Sequence, residues 1–157
     1  MIKTNAMRML TAAKIPFTVL EYEVDESDLS GIHISEQLHF PPAQMFKTLV
    51  ARGDKTGPLV FCIPVAEELE LRAVAARTGN KRIEMLPVKE LLGVTGYIRG
   101  GCSPIGMKKR YPTFIDQSAE QFEQITVSAG VRGAQLLLPR EALVRFTGAT
   151  VLPLTVK

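Results

Sequence analysis

Lys47 lies in the run Phe46-Lys47-Thr48-Leu49-Val50-Ala51. Strand alternation puts Lys47, Leu49 and Ala51 on one face and Phe46, Thr48 and Val50 on the other. Both faces are mostly apolar, so the strand belongs inside a sheet. A lysine there must snorkel to water, pair with a carboxylate, or act on a ligand. An ammonium facing a cleft holds a phosphate or polarises an acyl group. At about 4 Å and an effective dielectric near 20, that contact is worth roughly 4 kcal/mol before desolvation is subtracted.

The second candidate is the stretch Arg99-Gly100-Gly101-Cys102-Ser103-Pro104-Ile105-Gly106-Met107-Lys108-Lys109-Arg110, with three glycines and one proline in seven residues, then three cations. Gly100 and Gly101 read as the end of a strand, Tyr97 to Arg99. Without Cβ they tolerate positive φ and allow a ligand to touch the backbone. Two free N–H groups there would form an oxyanion hole. Pro104 holds Ser103 extended and stiffens the loop. The spacing matches neither a dinucleotide fingerprint nor a Walker loop. A plain turn followed by a solvated cationic face explains the same residues. Cations beside a glycine loop also suit a phosphate backbone.

Other chemistries find less support. His33 and His39 are the only histidines, and no HExxH or paired CxxC occurs, so no metal site is expected. Ser103 and Ser128 lie in no nucleophile elbow. Cys62, in LVFCIP, reads as core, and Cys102 as a small packing residue. Glu67, Glu68 and Glu70 read as the acidic first turn of a helix.

The elements that must position these residues follow from periodicity. Thr4 or Asn5 caps a first helix, ended by Pro16. Phe17 to Tyr22 reads as a strand, residues 23–32 as an acidic loop, and Ser35 to Leu38 as a short helix. Phe46 to Arg52 and Leu59 to Ile63 are strands joined by a hairpin at residues 53–58. Glu67 to Thr78 reads as a helix, Arg82 to Leu86 as a strand and Val88 to Leu92 as a helix. Thr113 to Ile115, Gln124 to Ser128 and Ala134 to Leu138 are strands. Arg140 to Phe146 reads as a helix before an extended piece, Thr150 to Leu154. Strands outnumber helices without regular βαβ alternation. The expected fold is α+β, a mixed sheet or partly closed barrel surrounded by helices.

The chain has 157 residues and 17.3 kDa, the size of one domain, expected to span residues 1–157. A net charge of +3 fits a local basic patch rather than a coat that binds nucleic acid everywhere. No apolar run approaches the ~20 residues of a membrane span, and MIKTNAMRML lacks the apolar core of a secretory signal. Cys62 and Cys102 read as reduced thiols. A cytoplasmic protein with no membrane partner is expected.

In order along the chain, FKTL at 46–49, PV at 64–65, LxxVA at 71–75, TGYIRGGCSPIGMKKRYPTFID at 95–116 and VSAGVRG at 127–133 resemble the YbaK/EbsC family of trans-acting aminoacyl-tRNA editing proteins. The long middle block is the specific part. The resemblance implies a YbaK-like α+β fold with a crevice for the 3′ end of a mischarged tRNA. It implies hydrolysis of the aminoacyl ester, foremost of Cys-tRNA(Pro), with no cofactor and with prolyl-tRNA synthetase as a further partner. Lys47, Gly100 and Gly101 are then the catalytic candidates. Tyr22, Ser30, Thr48, Ser103, Ser128 and Gln135 are the substrate-binding candidates, and Lys108, Lys109, Arg110 and Arg132 the tRNA contacts. In cysteinyl deacylases of this kind the substrate's own thiol attacks the ester, so the protein mainly orients and stabilises the oxyanion. Such editing is needed because a synthetase pocket separates similar small side chains by only about 1–3 kcal/mol.

Two positions depart from the pattern. Gln135 stands where cysteinyl-specific members carry an aspartate, and Leu29-Ser30 where an aromatic residue is expected before Gly31. Alanyl and seryl esters therefore stay open as substrates. So do two non-catalytic readings of the same fold: a nucleotide or tRNA-end binding module, and a regulatory domain docking on a synthetase.

Overall fold

The computed structural model describes residues 2–157. Thr4 caps α1 (Asn5–Ala12), its hydroxyl accepting the Met7 N–H. Ala6, Met7 and Leu10 form the buried face of that helix. The chain then runs through β1 (Thr18–Glu21), α2 (Gly31–Gln37), β2 (Phe46–Gly53), β3 (Gly57–Pro64), α3 (Leu71–Arg77), β4 (Ile83–Met85) and α4 (Val88–Thr95). It continues through β5 (Thr113–Asp116), β6 (Gln124–Ser128), β7 (Ala134–Pro139), α5 (Arg140–Thr147) and β8 (Thr150–Leu152). Two 3-10 turns, Pro42–Gln44 and Gln117–Gln121, precede β2 and β6.

The strands form two sheets, β1-β7-β6 and β4-β2-β3-β5-β8. The first is antiparallel throughout. The second is mixed: β2 pairs antiparallel with β3 and β4, while β3-β5 and β5-β8 are parallel. The α+β class and the mixed sheet expected from the sequence are present. The sheets meet at one bridge, Met45 with Thr126, and the arrangement is open rather than closed into a barrel.

β3 is buried from Leu59 to Pro64, because both faces of the larger sheet are covered. On one side Phe46 and Cys62 join α1, β6, β7 and α5 through Leu10, Ile125, Leu136 and Leu143. On the other, Ala51, Phe61 and Ile63 pack on Val74 and Ala75 of α3 and on Leu154. No helix among the described residues is long and apolar enough to cross a membrane.

Three expectations are corrected. Tyr97 to Arg99 is not a strand. The Thr95 hydroxyl takes the Tyr97 N–H at 3.0 Å, and Ile98 opens a turn closed by the Gly101 N–H on the Ile98 carbonyl at 2.9 Å. Local partners satisfy this backbone, so no ladder forms. Glu67, Glu68 and Glu70 do not open a helix. The Glu70 N–H donates to Leu154, the Val156 N–H to Glu68, and Leu69 bridges Thr155, so the segment pairs with the end of the chain and α3 starts at Leu71. Finally, α2 begins at Gly31, not Ser35, because Ser30 is its N-cap, accepting the His33 N–H at 3.3 Å.

Candidate active site

A cavity of about 380 Å³ opens where the start of β2, the start of α2, the first turn of α4 and the 99–102 loop meet the end of β6 and the start of β7. Lys47, Thr48, Ser30, Gly100, Ser128 and Gln135 all line it. Five separate stretches of sequence thus converge there.

Lys47 stands across from Ile63 in the β2-β3 register and is half-buried. Among the described residues it makes no ion pair within 4.0 Å. Burial pushes its pKa below 10.5, while the Glu68 and Glu67 carboxylates oppose that shift and favour the charged form. An unpaired ammonium on a cavity wall is free to meet an anion or a polarised carbonyl. The Thr48 hydroxyl lies 4.0 Å from the sulfur of Cys62, its cross-strand partner on β3.

The glycine loop acquires its shape from a tight turn. Gly100 has φ +85 and occupies the third position of the Ile98–Gly101 turn, where a type II geometry needs positive φ. Its own N–H donates to nothing among the described residues. The Arg99 carbonyl accepts Nε of Arg132 at 2.8 Å. A Cβ on Gly101 would lie 3.1 Å from the Arg132 nitrogen and the Val131 carbonyl carbon. The 99–101 and 130–132 loops therefore lie backbone to backbone, which explains glycine at 101. Behind them Tyr97 donates its hydroxyl to the Ile105 carbonyl, and its ring sits 3.0 Å from where Gly130 would carry a Cβ.

Ser128 and Gln135 face each other across β6 and β7. The Ser128 hydroxyl accepts the Gly130 N–H at 3.1 Å. Gln135 is only 6% exposed, and its Oε1 accepts the Thr126 hydroxyl at 3.3 Å. Its Nε2 makes no hydrogen bond among the described residues and lies beside the cavity it lines.

The remaining candidates lie elsewhere. Gly101 cannot supply an oxyanion donor, because its N–H is spent on Ile98. Ser103 is fully buried and does not line the cavity; its hydroxyl accepts the Ile105 N–H at 3.3 Å and braces the loop. Tyr22 packs beside Ile34, Met45 and Val65 in a neighbouring crevice that also touches Gly100 and Arg132. Lys108, Lys109 and Arg110 are exposed and none lines the cavity. Arg110 instead donates to the Phe146 carbonyl at 3.0 Å, capping the last turn of α5.

Sequence reasoning missed Arg99 and the apolar wall formed by Leu29, Ile34, Met45, Val65, Leu86 and Leu91. Arg99 carried a signal, as an exposed cation directly before the glycine pair. The wall carried none, since a cavity lining and a core share one pattern. Cys102 also lines the cavity, with burial pushing its thiol up to about 12. It is protonated at neutral pH and is no nucleophile there. Among the described residues no three His, Cys, Asp or Glu side chains converge as metal ligands would.

Residues 32–146 match the aminoacyl-tRNA editing domain family. The chain is 47% identical over 155 residues to a protein of Enterococcus faecalis (strain ATCC 700802 / V583), covering 99% of this chain and 94% of that one. The relative's name, EbsC, assigns it Cys-tRNA(Pro)/Cys-tRNA(Cys) deacylase activity. Among solved structures, one described as a trans-editing enzyme for prolyl tRNA synthetase superposes with a TM-score of 0.83 at 21% identity, over 100% of both chains. The protein APE2540 superposes with a TM-score of 0.85 at 19% identity, covering 95% of this chain and 97% of that one. At those identities the two structures speak for the fold alone. The family match and the close relative, taken with the cavity, show that the chain belongs to the aminoacyl-tRNA editing domain family.

Proposed function

We propose that this chain is a trans-acting hydrolase of mischarged aminoacyl-tRNA, with Cys-tRNA(Pro) as its foremost substrate and the tRNA 3′ end as its partner. Residues 1–157 act as one editing unit, and prolyl-tRNA synthetase is the partner that would present the tRNA. The observation that carries the reading is Lys47. Lys47, without an ion-pair partner among the described residues, lines one small cavity together with Gly100, whose N–H is unused among those residues, Ser128 and Gln135. The name of the Enterococcus faecalis relative supports the substrate class.

The chemistry needs little from the protein. Lys47 and the Gly100 N–H stabilise negative charge on the ester carbonyl oxygen as the tetrahedral intermediate forms. Ser128 and Gln135 orient the amino acid. Cys102 stays protonated, so the nucleophile comes from the substrate thiol or from water. With a cysteinyl ester, a C–S bond forms at the carbonyl carbon and the C–O bond to ribose breaks. The thiol proton ends on the ribose hydroxyl, and water then opens the cyclic thioester so formed, breaking its C–S bond and returning a proton to sulfur, to give free cysteine. With alanyl or seryl esters, water takes that place.

The test is a panel of Cys-tRNA(Pro), Ala-tRNA(Pro), Ser-tRNA(Pro) and Cys-tRNA(Cys), with release of the amino acid followed under single-turnover conditions. Cysteine release that disappears in folded Lys47→Ala is the expected result. Release from none of the four, with tRNA still bound, would instead identify a binding module on the same fold.

A further inference from the structure

Large apolar side chains exposed singly need no explanation, whereas a cluster does. Among the described residues, four of the six exposed large hydrophobics are Met85, Val88, Leu92 and Ile98. Val88 and Leu92 are 61% and 55% exposed and stand one turn apart on α4. Met85 precedes that helix, and Ile98 opens the turn that carries Gly100. This strip is not surplus core, because the inner face of α4 is already used: Leu91 and Val94 pack with Val50, Val60 and Cys102.

The strip runs into the cavity, whose lining includes Met85, Val88, Leu91 and Arg99. Cations border it. Lys89 follows Val88, Arg99 follows Ile98, and both are exposed. Lys108 donates to the Gly93 carbonyl at 3.4 Å, near the far end of α4. Of the nearby acids, Glu90 is tied to Arg52 at 3.0 Å, and Glu84 makes no such pair among the described residues. The rim at Leu29 and Ser30, which meets this one at Gly100, has the reverse character. Glu23, Asp25, Glu26 and Asp28 lie exposed just before it. The two rims therefore offer opposite electrostatics to a polyanion.

We propose that the strip Met85-Val88-Leu92-Ile98, with Lys89 and Arg99, is the track for the unpaired 3′-terminal nucleotides of the tRNA as they leave the cavity. This rests on the editing reading above. A cavity of about 380 Å³ has room for the aminoacyl group and its sugar but not for a run of nucleotides, so the chain must cross a rim. Bases present apolar faces that pack on side chains without hydrogen-bond readout, and phosphates need cations alongside. The α4 rim supplies both, and the acidic rim repels the phosphates. The runner-up occupant, a synthetase surface, would use the apolar side chains but has no need of bordering cations.

The test uses Leu92→Ser, Lys89→Gln and the double variant, since neither residue lines the cavity. Three substrates separate the possibilities: mischarged tRNA, the matching 3′-aminoacyl adenosine, and an unacylated RNA hairpin ending in CCA. In the double variant the half-saturating tRNA concentration should rise about tenfold at an unchanged limiting rate. Hairpin binding should weaken in step, and the adenosine ester should be hydrolysed as by wild type. Lys89→Gln should also lower the salt slope of hairpin binding by about one. Wild-type behaviour with tRNA overturns the proposal. So does an equal loss on the adenosine ester, which would mean that the strip only supports the cavity. A defect seen only with prolyl-tRNA synthetase present overturns it too, in favour of a protein docking surface. If wild type hydrolyses no ester at all, the editing reading fails, and hairpin binding alone then judges the strip.

Discussion

Lys47 is charged in a place that disfavours charge. Burial lowers its pKa from 10.5, and Glu68 and Glu67 counter only part of that. If the ammonium stabilises the oxyanion, Lys47→Ala should reduce single-turnover deacylation at least about a hundredfold while the fold persists. The pH dependence has a definite sign. The working form is protonated, so activity falls as pH rises through a value below 10.5. Lys47→Arg keeps its charge throughout and should remove that alkaline fall, at a lower rate. Rates corrected for spontaneous ester hydrolysis, compared from neutral to alkaline pH, decide this. An alkaline limb identical in the two proteins would remove Lys47 from the chemistry. Gln135 poses a selectivity question. It is neutral, buried and held by the Thr126 hydroxyl, so it cannot pair ionically with a substrate α-ammonium. Gln135→Asp should shift the relative rates on cysteinyl, alanyl and seryl esters by about tenfold, or roughly 1.4 kcal/mol. Desolvation of the new carboxylate offsets much of the gain from the pair. Unchanged ratios would mean that residue 135 does not read the amino acid.

Among the elements, α2 is the one whose placement bears most directly on the site. Its first residue, Gly31, and Val65 after β3 both line the cavity. A Cβ on Gly31 would lie 2.3 Å from Cγ1 of Val65 and 2.6 Å from its Cβ. No rotamer of Val65 relieves the second contact, so Gly31→Ala must push α2 away from β3. A loss of about 1–3 kcal/mol is expected, read by denaturant unfolding, with a fall in deacylation because the wall of Ser30 and Ile34 moves too. A variant as stable and active as wild type would show that α2 is not seated by that contact. Legibility from sequence also varied by element. Phe46 to Arg52 and Leu59 to Ile63 could be read because burial on both faces leaves continuous apolar runs. Tyr97 to Arg99 has strand-like residues, yet Thr95 and the Ile98–Gly101 turn supply its partners locally. The helical spacing after Glu67 was real, but Glu68, Leu69 and Glu70 pair with the chain end, a contact about 85 residues away that no local pattern records.

At the scale of the whole molecule, the site exists only because distant segments meet. Lys47, Gly100 and Ser128 could be singled out from residue type and motif order. That Gly101 faces Val131 rather than a ligand, and that Arg110 caps α5 rather than reaching toward the cavity, depends on packing between segments. The same packing sets a global property. Cys62 and Cys102 lie on either side of the junction between the larger sheet and the glycine loop, and burial raises both thiols from 9.0 to about 12. Between those values the folded state keeps two protons that the unfolded chain has released. Their contribution to stability is fully present below pH 9 and is lost as pH rises toward 12, at about 1.4 kcal/mol per pH unit for each thiol. Tyr97, raised by burial from 10.0, adds to the loss at the upper end. Lys47 acts in the opposite sense, since its folded value lies below 10.5 and stability recovers as it discharges. The thiols outnumber it, so urea unfolding should show stability falling above pH 9. Cys102→Ala deletes one of the two protons. It should leave deacylation intact, cost about 1 kcal/mol at neutral pH, and flatten the alkaline decline by about 1.4 kcal/mol per pH unit. Parallel declines in the two proteins would mean that the Cys102 thiol ionises as freely in the folded chain as in the unfolded one, and the protein's own sulfur would return as a candidate nucleophile.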